Sequence, residues 1–103
     1  MFKYSYGLEK LTQVMRILIM DLPLSERLID SLPYFTLISN PLGGPHIPFE
    51  LEEEYDRLHD LLLHIKNHQP TDDEIQHCAQ RIFDLYLQVE TACTLDKKIK
   101  AEL

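Results

Sequence analysis

The residues of this chain best suited to chemistry lie in one stretch, from Glu50 to His77. Asp60, His64 and His68 recur every four residues, so on a helix they form a column of oxygen and nitrogen donors, the types that bind zinc. At 100° per residue, however, the column points away from the apolar stripe Leu51, Tyr55, Leu58, Leu62 and Ile65. It therefore reads as a solvated face, and neither a metal nor any other cofactor is expected. The two cysteines, Cys78 and Cys93, are fifteen residues apart on one expected helix. At ~1.5 Å per residue that is roughly 22 Å, too far for a disulfide. They are expected to be reduced thiols packed as small hydrophobes.

Two further patterns resemble known catalytic arrangements. Glu74 with His77, and Asp56 with His59, have the carboxylate-x-x-His spacing of carboxylate-bridged di-iron bundles. Such ligands must point into the bundle, and these four fall at the margins or outside of their helices. "RLHDLLLH", Arg57 to His64, resembles the active-site motif of the helical HEPN-type ribonucleases. There the histidine would do acid–base work on a 2′-hydroxyl while the arginine steadies phosphate. Five acids lie in the seven residues before Arg57, a field that repels RNA. An ion-pair cluster of Asp56, Arg57 and Asp60 is the plainer expectation.

Glycine supplies no phosphate cradle. Two of the three glycines stand together in "SNPLGGPHIPFE", residues 39–50, but no lysine follows and Pro45 removes a backbone donor. The segment reads as a connector that reverses the chain.

Charge gives the strongest functional signal. Residues 50–74 hold nine acids against Arg57 and Lys66, a difference equal to the whole net charge of −7. Elsewhere acids and bases balance. This distribution disfavours nucleic acid and favours a basic protein partner, drawn in by charge. The expected partner-binding residues are Glu50, Glu52, Glu53, Glu54, Asp56 and Asp60, with His46 on the adjoining loop. Leu63, Phe83 and Leu87 fall on the outer sides of their helices and form a second candidate surface. Being apolar, it suits packing within the chain, or a structural subunit or homodimer.

The elements that position these residues are helical. Leu8, Leu11, Val14, Met15, Leu18 and Ile19 predict a first helix from Tyr6 to Met20. With Ile17 and Met20, its end is apolar nearly all round, which suits a central position or cover by another chain. Pro23 opens a short second helix with Leu24, Leu28, Ile29 and Leu32 inward, and Pro33 is expected to stop it. "YFTLIS" then reads as an extended or short helical segment laid across the core. A third helix runs from Pro48 to Asn67. Thr71 and Glu74 form a capping box for a fourth, whose buried face is Ile75, Cys78, Ala79, Ile82, Leu85, Tyr86, Val89 and Cys93. Lys97, Lys98 and Lys100 suit the dipole at its C-terminal end.

At 103 residues the chain suits one helical domain, 1–103. The expected fold is all-α, a small antiparallel bundle of four main helices, with a long Pro/Gly-rich loop between the second and third. No apolar run reaches the ~20 residues of a membrane span, and "MFKYSYGLEK" lacks the features of a signal peptide, so the expected location is the cytoplasm. A small acidic helical bundle with a charge-dense "FELEEEYDRLHD" helix resembles the bacterial immunity proteins of the colicin D type and of contact-dependent growth inhibition systems. The resemblance implies a non-enzymatic inhibitor whose carboxylates occupy the active site, or an adjacent surface, of a basic, nuclease-like toxin domain.

Overall fold

The computed structural model describes residues 5–38 and 47–102. It comprises four α-helices, α1 (Ser5–Leu18), α2 (Leu24–Leu37), α3 (Glu52–Asn67) and α4 (Asp72–Glu102), with a 3-10 turn at Phe49–Leu51. Among the described residues there is no strand, and no helix is long and apolar enough to cross a membrane. The expected loop at 39–46, His46 within it, and the side chains of Lys97, Lys98 and Lys100 lie outside what is described.

One core joins all four helices. α1 contributes Leu11, Val14 and Leu18; α2 contributes Leu28, Leu32 and Phe35; α3 contributes Tyr55, Leu58, Leu62 and Ile65. α4 adds Cys78, Ile82, Leu85 and Val89. In α3 and α4 the spacing is the one read from the sequence, because a helix buries a stripe that recurs every three or four residues. α4 opens with the expected capping box. Thr71 Oγ1 accepts from the Glu74 amide at 3.1 Å, and Glu74 Oε1 accepts from the Thr71 amide at 3.2 Å.

Two expectations about the N-terminal half are overturned. α1 ends at Leu18, two residues early, and Ile19 and Met20 turn outward, 79% and 53% exposed. The end of α1 is therefore not at the centre of the bundle. The Arg27 guanidinium donates to the Leu18 carbonyl, satisfying an acceptor that a helix end leaves open.

The second correction concerns Pro33, which does not stop α2. The helix continues through it to Leu37, and the "YFTL" segment is helical. A proline inside a helix forfeits the hydrogen bond to the carbonyl four residues back and costs about 3 kcal/mol. Continuation places Phe35 and Ile38, both essentially fully buried, on the stripe begun by Leu28 and Leu32. Burying one such side chain recovers roughly 1.5–3 kcal/mol, so the two together offset the proline. Exposure of Pro33 itself lets the ring stand in solvent rather than against a neighbouring helix.

Tyr55 then fastens α3 to the end of α2. Its ring stacks on Phe35 with centroids 4.7 Å apart, and its hydroxyl donates to the Phe35 carbonyl at 2.6 Å. That carbonyl lies in the last turn of α2, where the Ile38 amide also reaches it at 3.2 Å. A carbonyl oxygen has two lone pairs, so the tightened turn and the tyrosine share it without competition. His59, one turn further along α3, extends the stack and pairs its Nε2 with Thr36 Oγ1 at 3.0 Å.

Candidate functional site

The start of α3 gathers the acids expected to bind a partner, and the fold divides them into two groups. Glu52, Glu53 and Glu54 occupy the first turn, where exposed amides favour negative charge. Two of the expected residues are engaged within the chain. Glu54 accepts from Arg81 of α4, at 2.8 Å from Nε and 2.7 Å from Nη2, in a partly sheltered pair. Glu53 accepts from Arg57 at 2.5 Å in an exposed pair one turn apart. Arg57 thus pairs backwards along the helix, and the expected cluster with Asp56 and Asp60 does not form. A residue four positions earlier lies directly under the guanidinium, whereas the adjacent Asp56 points elsewhere around the helix.

Glu50, Glu52, Asp56 and Asp60 form no ion pair among the described residues. Glu50, Asp56 and Asp60 are exposed, while Glu52 is half-buried. Beside them Phe49 is 81% exposed, the highest value among the large apolar side chains described. Sequence reasoning missed it, although an aromatic between Pro48 and a glutamate at a helix entrance was visible there.

The 3-10 turn and α4 border an open trough that the sequence did not reveal. Its wider part, about 420 Å³, is lined by Pro48, Leu51, Leu87, Ala92 and Leu95, with Glu50, Gln88 and Thr91 at the edges. A second hollow of about 350 Å³ shares Glu50, Leu51 and Gln88 and continues past Glu54, Arg81 and Asp84. Glu50 therefore borders both parts, and Leu87, expected on a separate apolar surface, lines the wider part with it. Phe83 and Leu63 are exposed, at 41% and 37%, but line neither hollow. At 100° per residue, Phe83 falls on the flank of α4 shared by Ala79 and Tyr86, while Gln88, Ala92 and Leu95 share the other flank.

The remaining candidates for chemistry are each held in structural contacts or stand alone. His64 Nε2 pairs with Glu74 Oε2 at 3.1 Å, and its ring stacks on His68 with centroids 4.7 Å apart. The Thr71 amide is the main cause holding the Glu74 carboxyl below its ordinary value, against desolvation that raises it; the Thr71 hydroxyl and His64 add to the lowering. Asp60, His64 and His68 are all exposed, as the sequence implied. Among the described residues no group of three His, Cys, Asp or Glu side chains is placed to hold a metal ion. The di-iron-like residues are dispersed: His59 on Thr36, Glu74 in its cap, Asp56 and His77 in solvent. Arg57 and His64, the HEPN-like pair, each face a carboxylate, Glu53 and Glu74. Cys78 and Cys93 are both buried, and burial pushes the Cys78 thiol up to about 12 despite the nearby charge of Arg81.

No family model matches the chain, and no curated protein or solved structure matches it.

Proposed function

We propose that this chain is a non-enzymatic binding module that engages a basic protein through the start of α3. The observation that carries this reading is the set Glu50, Glu52, Asp56 and Asp60, without ion pairs among the described residues and set beside the exposed ring of Phe49. Carboxylates without an ion pair steer a cationic surface and speed its association, and an aromatic anchor slows its release. Glu53 and Glu54 contribute to the field while already bound to Arg57 and Arg81. The resemblance to immunity proteins makes a nuclease-like toxin domain in the cytoplasm the proposed partner, with carboxylates standing where substrate phosphates would lie. The order of the cross-helix pairs, Glu54 with Arg81 and His64 with Glu74, supports an antiparallel α3 and α4.

Affinity capture from the native host, followed by mass spectrometry, tests this reading. The expected result is a basic partner that is released by salt and lost when Glu50, Glu52 and Asp56 are changed to lysine. Capture indifferent to those charges and to salt would refute it. A second reading, a homodimer, is favoured by Ile19 and Met20, which stand exposed at the turn after α1. Light scattering on Met20→Asp separates the two: a dimer that this substitution splits supports the second reading.

A further inference from the structure

The trough has two chemical halves that share Glu50, Leu51 and Gln88. Leu51, Leu87, Ala92 and Leu95 make one apolar. Glu50 and Asp84 give the other negative charge, since Arg81 is already engaged by Glu54 and Asp84 meets only the neutral amide of Gln80. Leu87 and Leu95 are 43% and 55% exposed, so an apolar surface lies open directly beside carboxylates. We infer that the trough receives an amphipathic helical segment of a basic protein, with an apolar side chain in the wide part and a lysine or arginine at the Glu50–Asp84 end. This rests on the reading above and specifies where the partner inserts. Charge complementarity selects the occupant. An acidic or purely apolar segment would remove Glu50 and Asp84 from water while giving them no cation, which is unfavourable.

Two synthetic amphipathic helical peptides with the same leucine face, one flanked by lysines and one by glutamates, test the inference on the full chain. The lysine peptide should bind at least about tenfold more tightly at low salt. The amide shifts it causes should centre on Leu51, Leu87 and Leu95. Leu95→Ser should weaken it, and Ala92→Leu, which fills the trough while adding apolar surface, should weaken it too. If Ala92→Leu strengthens binding, the contact is unspecific adhesion and the inference fails. It also fails if the peptide shifts map elsewhere, or if light scattering shows a dimer abolished by Ala92→Leu, which assigns the trough to a second copy. Failure of the peptide while the captured partner remains sensitive to Glu52→Lys and Asp56→Lys, which lie outside the trough, would remove the trough and leave the acidic surface standing. Loss of charge dependence in both experiments would remove both.

Discussion

The two sides of α3 near its start differ in how completely their groups are satisfied. Toward α2, Tyr55 buries its ring on Phe35 and gives its hydroxyl to a carbonyl at the helix end. Toward the 3-10 turn and α4, Leu87 and Leu95 stay open and Glu50 has no ion-pair partner among the described residues. Within a few residues of each other, one surface is closed by folding and the other is left available. Substitutions on the first should therefore change stability, and those on the second should change binding.

Phe35→Ala challenges that contrast most severely. It opens a cavity in the closed junction and should cost about 3–5 kcal/mol, a large part of the stability of a small domain, measured by denaturant unfolding. Tyr55→Phe keeps the ring but removes the hydroxyl that ties α3 to the Phe35 carbonyl. It should cost about 0.5–1.5 kcal/mol in the same experiment, because the Ile38 amide still meets that carbonyl. Thr71→Ala removes the cap of α4 and should cost about 1 kcal/mol. On the open side, Leu95→Ser should change stability by no more than about 0.5 kcal/mol while weakening the lysine peptide. A stability loss at Leu95 as large as that at Phe35 would erase the distinction between the two surfaces.

A pH titration reports on the other end of α3. Because the folded Glu74 carboxyl titrates below its ordinary value of 4.5, its contribution to stability is present above that value. It is lost as pH falls through the lower folded value. Unfolding measured across that acid range should show a slope that Glu74→Gln reduces.

Much of the helical architecture was legible in the residue pattern. The stripe Tyr55, Leu58, Leu62 and Ile65 and the Thr71–Glu74 box could be read because both are local, depending on residues three or four apart. Pro33 misled because the local cost of a proline is visible in sequence, whereas the burial of Phe35 and Ile38 beyond it is not. Likewise the acids of α3 could be counted, but their sorting could not. Glu54 is engaged by Arg81, twenty-seven positions away and beyond any local pattern.

Periodicity and composition act over short distances, so the residue order alone was enough to place α3, the start of α4 and the accumulation of negative charge. Packing decided which carboxylates remain without an ion pair among the described residues, and that Glu50, Leu51, Leu87 and Leu95 line one trough. Those outcomes depend on how α4 lies beside α3, and side chains distant in sequence meet only once the helices are assembled.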